Sequence, residues 1–325
     1  MIAILLGMMS TDPRFFIPEK EFEPAYLAAY RSGELVTRVE EGLAALENCT
    51  ICPRLCKVNR VEGGTGVCEI GRYAVVSSAF PHRGEEAPIS GRRGSGTIFF
   101  SGCNLRCVFC QNADISHHTV GKEVSAAELA AMMLSLQEIG CHNINLVTPD
   151  HVVVQILEAL PIAIEGGLRL PLVYNTSGYT TLQMLRWLNG VVDIYMPDFK
   201  FANPRNARRY TRAMDYPATA KVALIEMQNQ VGELKMDEHG IAKRGLLVRH
   251  LVMPGDVAEI EPLMNFLAER VSLDTYINIM GQYRPEGKVS VEKYTEINQR
   301  ASAEEIRQAY QAAEQAGLWR FDLRR

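Results

Sequence analysis

The sequence has no uninterrupted apolar run long enough to cross a bilayer, so nothing in it predicts a membrane-spanning helix. It has no surplus of basic residues either. The formal net charge is −4, and no overall basic character points to nucleic acid. The opening stretch Met1–Met9 is apolar but short and lacks a basic leading segment. It is read as neither a secretory signal nor a membrane anchor. The glycine-rich segment Gly91-Arg-Arg-Gly-Ser-Gly96 lacks the Gly-Lys-Ser/Thr ending of a phosphate loop, so it reads as a turn into the next strand. What is present is bulk: 325 residues, 47% of them hydrophobic, can bury a large core as one domain or as a domain with an appendage.

The eight cysteines fall into two clusters plus Cys141. Clustered cysteines at short spacings in a cytosolic protein read as metal ligands rather than disulfides, and the expected compartment is the reducing cytoplasm. Cys141 stands alone before an apolar segment and is read as a buried, inert thiol. The first cluster, Cys49-x2-Cys52-x3-Cys56-x11-Cys68, is a complete set of four with glycines in the intervening loop. It suits structural zinc or an auxiliary [4Fe–4S] cluster that relays an electron, and spacing leaves both open. The second, Cys103-x3-Cys107-x2-Cys110, has three thiols on one short loop. Three thiolates can hold three irons of a cubane, which leaves one iron open, as at a catalytic metal site. The competing readings are a zinc knuckle or three unrelated buried cysteines.

Residues 1–96 read as an N-terminal helical and cysteine-rich extension, helical to about Leu46 and rich in glycine and short turns from Cys49 to Gly96. From Thr97 a regular alternation begins. Strands are predicted at Thr97–Phe100, Asn143–Val147, Leu170–Tyr174, Val191–Met196, Leu246–Val252 and Thr275–Met280. Helices are predicted at Leu129–Ile139, opened by the capping box Ser125–Glu128, then at His151–Leu160, Leu182–Leu188, Ile260–Arg270 and Glu304–Ala316, the last opened by Ser302–Glu305. Six such units imply an α/β fold with a parallel sheet, too short for a closed eight-fold barrel. A polar motif ends every strand: the three-cysteine loop, Thr148-Pro-Asp-His151, Asn175-Thr-Ser-Gly-Tyr179, Met196-Pro-Asp-Phe-Lys200, Arg249-His250 with Met253-Pro-Gly255, and Gly281-Gln-Tyr-Arg-Pro285. Loops at one face of such a sheet converge on one cavity.

The C-x3-C-x2-C loop, with Phe109 just before its third cysteine, resembles the signature of the radical S-adenosylmethionine superfamily. The resemblance implies a partial (β/α)6 TIM-like barrel for residues 97–325, a [4Fe–4S] cluster on Cys103, Cys107 and Cys110, and S-adenosylmethionine as cofactor. The strand-three Asn-Thr-x-Gly, the strand-four Met-x-Asp-x-Lys and the strand-five Arg-x4-Pro-Gly look like pyruvate formate-lyase-activating enzyme and its uncharacterised relatives. Carried over, Phe109, Gln111 and Asn112 would lie along the adenine. Asn175, Ser177, Asp198 and Lys200 would meet the cofactor, and Arg249 would neutralise a carboxylate. That family's Gly-Gly-Glu element is replaced by Leu146-Val-Thr-Pro149, where Thr148 would have to substitute. Its monovalent cation, Na+ or K+, would fall at Asn175, Thr176, the Met196 carbonyl and Asp198.

The implied activity is reductive cleavage of S-adenosylmethionine to a 5′-deoxyadenosyl radical that abstracts a hydrogen atom, with a glycyl-radical enzyme as one target. A small molecule or a peptide is the alternative target. A non-catalytic iron–sulfur or zinc electron-transfer protein is the alternative class. The implied partners are a reductant such as flavodoxin or ferredoxin and the protein or peptide substrate, with neither nucleic acid nor membrane.

Overall fold

Local signals in the chain set the frame. The capping box at Ser125 closes as expected: the Glu128 N–H donates to Ser125 Oγ at 3.3 Å, and the Ser125 N–H donates to Glu128 Oε2 at 2.8 Å. The helix it opens, Ala126–Ile139, stops at Gly140, whose φ of 92° few other residues adopt. The second box, at Ser302, opens Ala303–Gln315 in the same way.

The computed structural model describes residues 12–322. The Met1–Met9 stretch lies outside them. Within them are ten strands: β1 (Ala74–His82), β2 (Ser95–Phe100), β3 (Lys122–Val124), β4 (Ile144–Val147), β5 (Leu172–Thr176), β6 (Ile194–Pro197), β7 (Lys235–Met236), β8 (Ala242–Leu251), β9 (Tyr276–Met280) and β10 (Arg320–Phe321). They form one sheet in the order β10-β9-β8-β6-β5-β4-β2-β1-β3, with β7 beside β8. From β2 through β10 the neighbours on this path are parallel. β1 runs antiparallel between β2 and β3. Among the described residues no pairing joins the two ends of the path, so the barrel is partial and open.

The six expected strands are β2, β4, β5, β6, β8 and β9, each within a few residues of its expected position. The expected helices Leu182–Leu188 and Ile260–Arg270 are found, the latter as Ile260–Phe266 followed by a wider turn to Val271. The expected helix from His151 starts two residues later and runs from Val153 to Glu165 across Pro161. Two features differ. The turn-rich stretch before Gly96 contains β1, which carries Pro81. Beyond Val76 one edge of β1 is free of β3, so a residue without an N–H can be accommodated there. The helical reading of the N-terminal residues holds for Tyr26–Arg31 and Glu34–Glu47 but not for most of 12–25.

Side-chain alternation sorts the strands into two faces. Ile98, Phe100, Ile144, Leu146, Leu172, Tyr174 and Leu246 face outward and pack with the helices in the main core. Val173, Ile194, Met196, Leu247 and Tyr276 face inward and form a separate apolar cluster with Ile89, from the short helix Ala87–Ser90. Burying each such side chain is worth about 1.5–3 kcal/mol. The interior is therefore filled on one side, and inward polar groups are left at the C-terminal ends of the strands. Among the described residues, no helix is long and apolar enough to cross a membrane.

Candidate active site

The three-cysteine loop leaves β2 at Phe100. Gly102 follows with φ 77°, and a Cβ there would stand 2.3 Å from the Cys68 carbonyl oxygen, so only glycine fits. Cys103 and Cys107 are buried and Cys110 half-buried. The Leu105 N–H donates to Cys103 Sγ at 3.3 Å, and the Ser116 hydroxyl donates to Cys110 Sγ at 3.2 Å. Burial pushes the Cys103 thiol up to about 11, against the backbone N–H of Arg106. Burial also raises Cys107 strongly. The Lys200 ammonium opposes that rise, while Cys110 and Cys103 add to it. The three thiols therefore sense one another's charge. Buried thiols of this kind ionise readily only when a positive metal core shares the site, and N–H and O–H donors to sulfur suit ligated thiolates. The residues present fit a cluster.

Facing the loop is a chain of charges on the neighbouring strand ends. Lys200 Nζ donates to Asp198 Oδ2 at 2.6 Å. Arg249 donates from Nε to Asp198 Oδ1 at 2.8 Å and from Nη2 to Asn175 Oδ1 at 2.7 Å. Burial alone would raise the Asp198 carboxyl, but Arg249 and Lys200 outweigh it and hold it below the usual range. Burial would lower Lys200, and Asp198 with Cys107 raises it instead. Thus β5, β6 and β8 place Asn175, Asp198, Lys200 and Arg249 together, and Lys200 reaches the field of the Cys107 thiol.

The remaining sequence-predicted residues are spread around this centre. Phe109 is buried, its ring edge-on to Phe201 at 6.0 Å and tilted against Tyr283 at 6.2 Å. Gln111 and Asn112 are exposed, and Gln111 Nε2 donates to the Gln282 carbonyl at 3.5 Å. Thr148 sits at φ 58° and its N–H donates to the Asn175 carbonyl. Ser177 lies beside the chain, its carbonyl accepting from the Tyr216 hydroxyl at 3.0 Å. Met196 belongs to the inner apolar cluster. Thr176 points the other way: its hydroxyl donates to the Asp150 carboxyl at 2.7 Å, and its carbonyl accepts from the Asp198 N–H. Cys49, Cys52 and Cys68 are buried and Cys56 half-buried, in a loop pair behind the three-cysteine loop. All eight cysteines, Cys141 among them, are free thiols.

Sequence reasoning missed three groups. Glu85 reaches Arg249 Nη1 at 3.6 Å, and Glu86 accepts from Asn278 Nδ2 at 2.8 Å. Both acids come from the turn after β1, whose strand signal Pro81 hid. Asp150 is buried under Thr176 and Thr180, and burial pushes its carboxyl up to about 6. Arg54 and Arg106 tie the two cysteine regions together. Arg54 donates to the carbonyls of Asn104 at 2.7 Å and Leu105 at 3.1 Å. Arg106 donates to the Val67 carbonyl at 2.9 Å and to Glu69 at 2.6 Å. The only sequence signal for these two was their position between cysteines.

An open α/β barrel with three thiols on its first β/α loop defines a class. The family model for the radical SAM superfamily matches residues 97–267, and the chain belongs to that superfamily. Members carry a [4Fe–4S] cluster and S-adenosylmethionine. The chain is 32% identical over 291 residues to the uncharacterized protein MJ0674 of Methanocaldococcus jannaschii, covering 86% of this chain and 78% of that one. Two solved structures are similar at lower identity. SuiB of Streptococcus suis, bound to S-adenosylmethionine, is 13% identical with a TM-score of 0.45, over 66% of this chain and 44% of that one. HydG, a maturase of the [FeFe]-hydrogenase, is 16% identical with a TM-score of 0.44, over 66% and 47%. The chain thus matches less than half the length of either structure.

Proposed function

We propose that this protein is a radical S-adenosylmethionine enzyme whose cluster is held by Cys103, Cys107 and Cys110, and that it abstracts a hydrogen atom from a protein or peptide substrate. The observation that carries the reading is the meeting of the three thiols, two of them buried, with the Lys200–Asp198–Arg249 chain at one rim of the barrel. Cys103, Cys107 and Cys110 would hold a [4Fe–4S] cluster, which when bound would supply the electron for reductive cleavage of S-adenosylmethionine. The chain's own residues bind and orient. Asp198 holds Lys200 and Arg249 in place, so the two cations are pre-set for an anionic group without the cost of ordering long side chains on binding. Asn175 fixes the second arm of Arg249. Phe109, packed on Phe201 and Tyr283, anchors the loop between the second and third thiols.

Activation of a glycyl-radical enzyme is the target we favour, supported by the Asn-Thr-x-Gly and Met-x-Asp-x-Lys motifs at the ends of β5 and β6, with flavodoxin or ferredoxin as reductant. Modification of a small molecule is the second reading, supported by the inward polar pair Glu86 and Asn278 below the rim. The monovalent cation is not part of the proposal, because both oxygens of Asp198 are taken by Lys200 and Arg249. The test is anaerobic reconstitution with dithionite and measurement of 5′-deoxyadenosine. Cys103→Ala, Cys107→Ala and Cys110→Ala together should abolish its formation. Undiminished cleavage in that variant would sink the assignment.

A further inference from the structure

The helix Pro204–Thr211, which follows β6, carries Arg205, Arg208 and Arg209, and Arg212 stands at its C-terminal cap. The stretch 204–212 holds no acid, and all four arginines are exposed, in a chain whose net charge is −4. Arg209 pairs with Glu296 at 2.7 Å. Among the described residues, Arg205, Arg208 and Arg212 make no ion pair. Helix stability does not account for this pattern. Arg205 lies in the first turn, where the helix dipole disfavours a cation. It also stands three and four residues before Arg208 and Arg209, a spacing at which like charges repel. Arg205, Arg208 and Arg209 line a cleft of about 600 Å³ with Met214 and Tyr294. Met214 is 56% exposed. Arginine, methionine and an aromatic ring together are the composition of a protein-docking surface rather than of ordinary solvated surface.

A second observation is where this cleft leads. A packed column of rings joins it to the three-cysteine loop. Tyr294 tilts against Tyr210 at 6.1 Å, Tyr210 stacks on Phe201 at 5.7 Å, and Phe201 meets Phe109 edge-on at 6.0 Å. Phe109 stands between Cys107 and Cys110. The backbone makes a second link, since the Val108 N–H donates to the Tyr210 carbonyl at 2.8 Å. Arg54 fastens the end of the helix, donating to the carbonyls of Thr211 at 2.9 Å and Arg212 at 2.8 Å. The same guanidinium holds the carbonyls of Asn104 and Leu105 in the cysteine loop. Two exposed acids stand beside the arginines. Glu296 is paired with Arg209, and Asp215 accepts from the Tyr179 hydroxyl at 2.8 Å. Four arginines against these two leave the surface cationic.

Reductive chemistry at Cys103, Cys107 and Cys110 needs an electron from outside the chain, and its carrier must come close to the loop. We propose that the cleft lined by Arg205, Arg208, Arg209, Met214 and Tyr294 is the docking surface for an acidic electron-carrier protein, an inference that rests on the cluster reading of the three thiols. The reduced carrier is oxidised by one electron as the cluster is reduced by one, and no atom or proton changes hands. Arginines left unneutralised within the chain steer an acidic partner and fix its register, acting mainly on the rate of encounter. An oligonucleotide is the competing occupant for such arginines. The column of rings leading to the cysteine loop favours the carrier.

The test pairs a binding measurement with a comparison of two reductants, using a flavodoxin of net negative charge as the probe. Binding of oxidised flavodoxin to the full chain, read by isothermal titration, should weaken as ionic strength rises. Arg205→Gln with Arg208→Gln should weaken that binding and flatten its salt dependence. The same variant should slow 5′-deoxyadenosine formation driven by reduced flavodoxin about tenfold at low salt. Formation driven by dithionite should stay as in the unmodified chain. Arg205→Lys with Arg208→Lys should keep both the flavodoxin-driven rate and its salt dependence. Equal flavodoxin-driven rates in the glutamine variant and the unmodified chain would overturn the proposal. So would an unmodified chain that does not bind flavodoxin, or binds it indifferently to salt, a result that needs no variant to fold. Binding of a single-stranded oligonucleotide, lost in the glutamine variant and without any binding of flavodoxin, would reassign the surface to nucleic acid. If dithionite yields no 5′-deoxyadenosine in the unmodified chain, the cluster reading fails. Salt-dependent flavodoxin binding that the glutamine variant loses would still place the docking surface here.

Discussion

The two cysteine sets share a fold region and differ in their electrostatics. The set on the loop after β2 has three thiols and faces a mixed chain of two cations and an acid, Lys200, Arg249 and Asp198. The set before β1 has four thiols, and the buried Arg60, whose field reaches Cys68, bonds through its side chain to the Gly71 and His151 carbonyls. An incomplete ligand set opposite adjustable, paired charges leaves room for a ligand to bind and react. Between the two sets lies a narrow seam: Gly102 against the Cys68 carbonyl, Arg54 and Arg106 reaching across, and His151, which takes Arg60 on its carbonyl and pairs its Nε2 with the Ser101 carbonyl at 2.7 Å.

The largest disruption should come from the seam. Gly102→Ala adds a methyl 2.3 Å from the Cys68 oxygen at a φ of 77°. Left-handed strain and a forced backbone shift together should cost about 4 kcal/mol. Urea unfolding should show that loss, and iron content at Cys103, Cys107 and Cys110 should fall. If the protein keeps its stability and iron, the two sites are not packed against each other as described.

A smaller effect, confined to the three-thiol side, is expected from Asp198→Ala. Lys200 and Arg249 would lose their shared partner while remaining mostly buried, each side chain 15% exposed. Removing one member of a buried charge set costs about 3 kcal/mol. Affinity for S-adenosylmethionine, read by isothermal titration, should drop with stability. An unchanged affinity would make the chain a structural element only.

The smallest effect is a pH slope at the seam. Burial raises the Asp150 carboxyl to about 6, so folding favours its protonated form, and its contribution to stability is lost as pH rises from about 4 to about 6. Burial lowers the neighbouring His151 to about 4, with the Ser101 carbonyl opposing, so folding favours its neutral form. Its contribution is lost as pH falls from 6.5 towards 4. Over pH 4–6 the two oppose. Asp150→Asn should therefore unmask the histidine, and Tm should fall more steeply on acidification than in the unmodified protein. Parallel Tm profiles would show that the two groups do not titrate as their burial implies.

Much of the fold was legible because the signals were local. The boxes at Ser125 and Ser302 and the apolar runs of the six parallel strands depend on residues a few positions apart. β1 was not legible, since Pro81 argues against a strand unless one knows that β3 covers only its first three residues. The helix Tyr216–Val231 was missed because it buries residues without a strong apolar stripe. In the site, the cysteines announced themselves by spacing, and Asp198, Lys200 and Arg249 by motif resemblance. Asp150 was legible only as part of the polar Thr148-Pro-Asp-His151 run, and Glu85, Glu86 and Arg60 carried no signal, because an acid or arginine in a sequence reads as exposed until the fold buries it.

The sequence by itself determined the alternation of strand and helix, the two sets of thiols and the placing of polar motifs at strand ends. These are properties of spacing, and spacing is written in the chain. The tertiary structure alone decided which charges meet. Arg249 finds Asp198 and Asn175 across 51 and 74 residues of sequence, and Arg60 finds the His151 carbonyl across 91. Such pairings depend on where the parallel strands place their ends, and on burial that makes a lone charge costly enough to need a partner.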